Sequence, residues 1–283
     1  MSIKLCPYTA PGRQLAALGS NEKLYDAVQT IGLLSNAKIL VDIGDPISYS
    51  GTGNTLTNRA LGQPNYSHAG TFQLVDPYYA SFINDTNQQS GDWGPSGGTR
   101  VWSDTLHKAG GVLSFCAVLR INSTADWFPL FGTWGNLTAT TGFMCSMSAS
   151  SFGMTAWRSS NQATLTISYD GFPPVGTWMF LACTFGDGVS NFARINDQYA
   201  NMISYRTGVN SNQTPVGLAG PLVLNYASPT GNNAQSDMLL MGIPGSNNAN
   251  MDVDLAFFGM WDIAIGEATF DVIFNAIRGR YGL

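Results

Sequence analysis

PPVGTWMFLACTFGDGVSNFARINDQYA, residues 173–200, is the stretch whose reading decides the fold. Gly176-Thr177-Trp178 leads into the run Met179–Phe185, which is apolar on both of its alternating faces. A strand of that kind belongs at the centre of a sheet that is covered on both sides. Gly186-Asp187-Gly188 then supplies a tight turn, and a second run closes on Asn196-Asp197. Glycine and Asx residues at those points accept the left-handed backbone that a reversal needs. The segment therefore reads as a central β-hairpin with a tryptophan at its entry.

Similar runs surround it. GVLSFCAVLRI, WFPLFGTW, GFMCSMSAS, FGMTAWR, ATLTISYD, SDMLLMGIP and DLAFFGMWDI are short, apolar and bounded by Gly, Asn, Asp or Pro. Many short strands spaced by turns define an antiparallel sandwich. In VLSFCAVLRI, Leu113, Phe115, Ala117, Leu119 and Ile121 share the more apolar face, which should line the core. KILVDIGD adds a strand, and GDPISYSGTGNTLTN a loop. A long loop region is expected from Gly62 to Gly111. At the C-terminus, Phe270, Ile273, Phe274 and Ile277 recur at helical spacing in a short closing helix.

The first 38 residues differ. Leu24, Ala27, Val28, Ile31 and Leu34 are spaced for a helix that Ser20 or Asn21 can cap and Asn36 can end. Residues 1–38 are read as an N-terminal arm with one helix, and 39–283 as the sandwich. The arm packs on the sandwich or docks on a partner subunit.

Composition narrows the function classes. Charged residues are 11% of the 283, against about 25% in a typical soluble domain. Polarity comes instead from Asn, Ser, Thr, Gly and Gln, a surface suited to contact with other protein copies or with sugars. Lys and Arg total 13 against 18 acidic residues, and no basic run offers a phosphate-tracking patch, so nucleic acid is not an expected partner. Nor is a membrane, because no apolar run is long enough to span one. The N-terminus lacks the apolar stretch of a secretory signal, so synthesis and folding in a cytoplasm are expected. Cys6, Cys116, Cys145 and Cys183 show no paired spacing, and the last three read as buried free thiols. His68 and His107 stand apart from any second zinc ligand.

Three segments together resemble the laminin-G-like (concanavalin A-like) jelly-roll family. The first is the Gly176-Thr177-Trp178 entry with its hairpin, although Asn196-Asp197 replaces the family's Asn-Gly. The second is the closing section from Asp254-Leu255-Ala256 through Trp261-Asp262 to Ala264-Ile265-Gly266-Glu267, where Phe257 occupies the position of a family Glu. The third, VDIGDPISYSGTGNTLTN, resembles the opening of versions of this domain found in bacteriophage proteins, with Leu56 for Trp and Asn58 for Asp. The resemblance spans residues 38–283. It implies an all-β, antiparallel two-sheet jelly-roll sandwich with a short N-terminal helical arm and a short C-terminal helix.

Catalysis finds little support. Paired carboxylates flank the scissile bond in most glycosidases, and the chain holds only Glu22 and Glu267, neither on a sheet strand. A polysaccharide lyase would want His on strands, and the two His of the chain are scattered. The loop Asn247–Asp254 offers oxygens for calcium, with Asp252, Asp254 and Asn250 as candidate ligands; a solvated loop of Asx turns is the alternative. For sugar binding, Trp93 is the first candidate for stacking on a pyranose face, followed by Trp134, Trp157 and Trp127. A place in the core is the alternative for each, and it is the favoured reading for Trp178 and Trp261 by their place in the pattern.

The resemblance to phage domains implies a non-enzymatic virion protein, a capsid decoration or tail-associated module. Its partners would be other virion proteins, further copies of itself and a host surface glycan. A carbohydrate-binding adhesin or lectin is the alternative, and a glycoside hydrolase or lyase a third.

Overall fold

The computed structural model describes residues 24–68, 73–76, 79–83, 91–93, 100–122, 128–133, 141–147, 151–158, 161–168, 174–196, 198–200, 204–207, 222–223, 238–240 and 252–283. In chain order the strands are β1 (Ala37–Asp42), β2 (Thr55–Leu56), β3 (Tyr66–His68), β4 (Gln73–Asp76), β5 (Tyr79–Ile83), β6 (Gly91–Trp93), β7 (Val112–Ile121), β8 (Phe128–Gly132) and β9 (Thr141–Met147). They continue as β10 (Ser151–Arg158), β11 (Asn161–Ser168), β12 (Trp178–Gly186), β13 (Ser190–Ile195), β14 (Gln198–Ala200), β15 (Ser204–Thr207), β16 (Leu222–Val223), β17 (Leu239–Leu240) and β18 (Asp252–Trp261). The helices are α1 (Leu24–Thr30), α2 (Arg100–Ser103) and α3 (Glu267–Tyr281).

Among the described residues all pairings are antiparallel, in two sheets of nine strands. Sheet 1 runs β14-β13-β12-β7-β18-β5-β4, with β1 beside β18 and β16 beside β13. Sheet 2 runs β15-β11-β10-β9-β8-β17-β6-β3-β2. This is a jelly-roll sandwich.

The opening hairpin is β12–β13, and every residue of β12 is buried. Met179, Leu181, Cys183 and Phe185 join Leu113, Phe115, Ala117, Leu119 and Ile121 of β7 in the core between the sheets. Trp178, Phe180 and Ala182 face the other way, into a second core with Cys116 and Val118. That second core is closed by Phe270, Ile273, Phe274 and Ile277 of α3. The helical spacing of these four residues is what lets one face of α3 lie across the sheet. Phe180 and Phe274 rings meet at 5.4 Å, Trp178 and Tyr281 at 5.2 Å.

Strand β18 serves both cores through a bulge. Val253 and Leu255 point inward, and after the register shift between Leu255 and Phe257 the inward residues are Phe258 and Met260. Ala256, Phe257 and Trp261 belong to the outer core. One extra residue reverses the parity of the strand, which is why DLAFFGMW does not alternate as written.

Ile195 at the end of β13 pairs with Gln198 at the start of β14. Asn196 takes φ 54°, a left-handed conformation that Asn accepts more readily than other side chains. Its backbone N–H donates to Phe180 O at 2.8 Å, and its Oδ1 accepts from Phe180 N–H at 2.9 Å. At the other end, the buried Asn191 side chain accepts from Gly186 N–H at 2.7 Å and donates to Gly186 O at 3.1 Å. The hairpin is thus pinned at both ends by an Asn side chain.

Two expectations are corrected. Helix α1 ends at Thr30, not Asn36. Gly32, at φ 76°, donates to Gln29 O at 3.0 Å, and Leu33 N–H donates to Val28 O at 3.0 Å. That 6→1 and 5→2 pair is a Schellman stop. Val28 is fully buried against sheet 1, so the helix packs on the sandwich. The region from Gly62 to Gly111, expected as loop, contributes β3 to β6 and α2. These elements are three to five residues long, too short to show a period. Tyr66 of β3 is nevertheless fully buried and donates its hydroxyl to Leu240 O at 3.1 Å. Asn58 uses its amide fully: Oδ1 accepts from Leu40 and Ala60 N–H, and Nδ2 donates to Lys38 and Pro64 O.

Candidate functional site

The sandwich has two outward sheet faces, and they differ. Helices α1 and α3 lie on the outer face of sheet 1. The outer face of sheet 2 follows from strand alternation. Phe152 and Met154 of β10 are buried between the sheets, so Gly153, Thr155 and Trp157 take the opposite side. Paired residues share a face, and three cross-strand rows follow. One is Gly142–Trp157–Gln162, the next Met144–Thr155–Thr164–Arg206, and the third Ser146–Gly153–Thr166–Ser204. Apart from Trp157, Met144 and Arg206, these positions carry Gly or a small hydroxyl or amide residue. Met144 is itself buried.

The four tryptophan candidates divide. Trp157 lies on this outer row of β10. Trp93 of β6 pairs with Tyr66, whose neighbour in the row is Leu56, and both partners are buried between the sheets. The register therefore sets position 93 in an inward row. Trp134 lies outside the described residues, in the connection from Thr133 to Thr141, and Trp127 lies outside them just before β8. Trp178 and Trp261, read as core, are 4% and 0% exposed.

The carboxylates expected near a calcium loop have other partners. Asp254, 1% exposed, sits in a row that crosses four strands: Ser81, Asp254, Arg120, Trp178. Its Oδ1 accepts from the Ser81 hydroxyl, and its Oδ2 accepts from Arg120 Nε at 2.7 Å and from Arg120 Nη2. The Arg120 guanidinium lies over the Trp178 ring at 4.9 Å and the Tyr79 ring at 5.1 Å. Burial pulls the Arg120 pKa down, but the hydrogen bond and charge of Asp254 outweigh it and hold the group above its ordinary value. Asp252 Oδ1 accepts from Asn122 Nδ2 at 3.3 Å. Asn250 lies outside the described residues. Among the described residues, no group of three His, Cys, Asp or Glu side chains is placed to hold a metal. The row was hidden in the sequence because Arg120 and Asp254 are 134 positions apart; the one local signal was a charge ending an otherwise apolar strand.

Cys116, Cys145 and Cys183 are buried free thiols. Burial pushes all three well above the ordinary thiol range, with the Cys183 charge adding to the effect on Cys145. Cys6 and Glu22 lie outside the described residues, while Glu267 opens α3 on the surface.

No family model matches the chain, and no curated protein matches it. Solved structures do. The binding domain of botulinum neurotoxin DC, in complex with rat synaptotagmin II, has a TM-score of 0.60 at 10% identity over 86% of this chain and 52% of that one. A structure concerning botulinum neurotoxin type C, whose cell entry is described as dependent on interaction with two ganglioside molecules, has a TM-score of 0.59 at 12% identity, over 88% of this chain and 53% of that one. The DC binding domain in complex with SialylT gives 0.57 at 11%, over 86% and 52%. The chain spans about half the length of these binding domains. The likeness is one of fold: a β-sandwich.

Asp254→Ala is expected to destabilise the protein by roughly 3 kcal/mol, because it leaves the Arg120 guanidinium without its carboxylate in a mostly buried row. Urea unfolding of the variant checks this, and a change under about 0.5 kcal/mol would show the ion pair to be dispensable.

Proposed function

We propose that the chain is a non-catalytic carbohydrate-binding sandwich module, and that the outer face of sheet 2 around Trp157 is its binding face. The observation that carries the reading is the asymmetry of the two outer faces. Sheet 1 spends its outer face on helices. Sheet 2 sets a Trp in rows of Thr, Ser, Gln and Gly, with one Arg. An aromatic ring beside hydroxyl and amide groups suits a pyranose, whose C–H face stacks while its hydroxyls exchange hydrogen bonds. The structural neighbours support it as far as fold goes, and two of them concern ganglioside and SialylT ligands. The shortage of Glu supports a non-catalytic role.

The virion setting and its partners, other virion proteins and further copies of the chain, are part of this proposal and rest on the sequence resemblance alone. Low charge supports contact between copies. Mass spectrometry of purified particles checks the setting: recovery in stoichiometric amount is expected, and a chain that stays in the soluble fraction of the host would remove it.

Trp157→Ala is expected to weaken saccharide binding about tenfold or more on a glycan array, since a well-packed aromatic anchor carries about 1.4 kcal/mol or more. The melting temperature should hold. Trp93→Ala, at an inward row, should instead lower the melting temperature. A wild-type protein that binds no saccharide, or a Trp157→Ala profile identical to wild type, would overturn the proposal.

A further inference from the structure

The helical cover on the outer face of sheet 1 stops short of a corner. The last turn of α3 reaches Trp178 through Tyr281, and the two rings meet at 5.2 Å. On β7 the outward residues Cys116 and Val118 are fully buried in the outer core, but the next two outward positions, Arg120 and Asn122, are partly exposed. The neighbouring strand repeats the change: Ala256 and Phe257 of β18 are buried, and Asp252 is partly exposed. Asp254 pairs with Arg120, and Asn122 N–H donates to Asp252 O at 2.8 Å. Strand alternation therefore sets Arg120, Asn122, Asp252 and Asp254 on one outward block of two strands. At about 3.4 Å per residue along a strand and about 4.8 Å between strands, the block measures roughly 7 by 5 Å, the footprint of one sugar ring.

The block leaves part of its hydrogen-bonding capacity unspent. Both oxygens of Asp254 are engaged, by the Ser81 hydroxyl and by Nε and Nη2 of Arg120. Arg120 Nη2 also donates to the Tyr79 hydroxyl at 3.3 Å. Arg120 Nη1 has no partner among the described residues, and 22% of the side chain is exposed. Asp252 gives its Oδ1 to Asn122 Nδ2. Asp252 Oδ2 and Asn122 Oδ1 have no partner among the described residues. One donor group and two acceptors thus stand side by side. Arg120 and Asp252 lie on paired strands, Asn122 continues one of them, and each is braced by a neighbour, so their geometry is set before any ligand arrives.

We propose that this corner of sheet 1 is a second ligand site, separate from the sheet 2 face, and that its ligand is a neutral saccharide presenting two adjacent hydroxyls. Charge selects the class. An anion would satisfy Arg120 Nη1 but meet the carboxylates of Asp252 and Asp254. A cation would satisfy Asp252 Oδ2 but meet the guanidinium. A hydroxyl both donates and accepts. One sugar hydroxyl accepts from Arg120 Nη1, and its neighbour donates to Asp252 Oδ2 or Asn122 Oδ1. Apolar surface for the C–H side of the ring borders the block. Tyr79 is half-buried, with the Arg120 guanidinium 5.1 Å from its ring centre. Val175, 39% exposed, stands in the turn whose Gly176 N–H donates to Ile121 O at 2.7 Å. The inference does not depend on the reading of Trp157.

The test uses the full chain with its arginine nitrogens isotopically labelled. The Nε–H nuclear magnetic resonance signal of Arg120, assigned by its loss in Arg120→Lys, reports on the corner. The probes are the methyl glycosides of glucose, galactose and mannose, titrated into the tens-of-millimolar range, and N-acetylneuraminic acid as the anionic comparison. At least one neutral glycoside is expected to shift the signal saturably, and N-acetylneuraminic acid is expected to leave it in place. Asp252→Ala and Asn122→Ala should each weaken that binding about tenfold, the loss of one hydrogen bond to the ligand. Both positions are partly exposed, so each variant should melt within about 2 °C of wild type. A saccharide held only on sheet 2 leaves the Arg120 signal unmoved, so this site and the Trp157 face stand or fall separately. No saturable shift with any of the three glycosides would overturn the proposal, as would undiminished affinity in both variants. A shift by N-acetylneuraminic acid alone would overturn it too, because the ligand would then be an anion.

Discussion

The structure depends on burying one sheet on both sides. Strands β7, β12 and β18 are apolar on both faces along nearly their whole length, and β12 has no exposed residue. At roughly 25 cal/mol per Å² of apolar surface removed from water, neither face can be left open. The inward face has sheet 2. The outward face needs a separate cover, and α3 supplies it with Phe270, Ile273, Phe274 and Ile277, joined by Val28 of α1. The two helices are therefore part of the core.

In a chain with so few charges, the ion pairs among the described residues sit at joints. Arg194, 3% exposed in its side chain, bonds to Asp271 of α3 and lies over the Phe274 ring at 4.4 Å, so it ties the central hairpin to the helix that covers it. Arg120 and Asp254 tie β7 to β18 and continue through Ser81 to β5. Arg59 bonds to the buried Asp45 and lies over Tyr25 at 4.1 Å, fastening α1 to the loop after β1. Arg280 reaches Asp42 at 3.4 Å and fastens the last turn of α3 to β1. Each is a charge-assisted contact between different elements, where desolvation makes geometry matter more than on the open surface. A sheet 2 outer face with one Arg and no carboxylate in its three rows stands in contrast, and uncharged hydroxyl and amide groups are the chemistry that recognises neutral sugar hydroxyls.

Long periodic segments were legible in the sequence. The β12–β13 hairpin, the inward face of β7 and the four buried residues of α3 follow directly from spacing, because each repeats often enough to display its period. Short elements were not. β3 and β6 are three residues each, and their identity comes from partners such as Leu240 that lie 174 positions away from Tyr66. The parity of β18 was hidden by its bulge, and the end of α1 by a glycine two residues past its last turn. For the candidate site, residue type alone does not say which tryptophan stands on an outer row, because that is a matter of register. Trp93 in GDWGPSGG looked loop-like because of its Gly and Pro neighbours, yet its pairing with Tyr66 sets it in an inward row. Trp157, placed after Trp93 among the candidates, falls on the outer one.

The most direct test of the account is a pair of melting curves, for Val118→Asp and Thr164→Asp. Val118 is fully buried on the outer face of sheet 1, in the core that α3 covers. Thr164 pairs with Thr155 on the outer row of sheet 2. A carboxylate at 118 must be buried without a partner, so that variant should lose about 10 °C or more in melting temperature or fail to melt cooperatively. The same charge at 164 should leave the melting temperature within about 2 °C of wild type. Comparable losses in the two variants would contradict the account, because they would mean that the outer face of sheet 2 is buried as deeply as that of sheet 1.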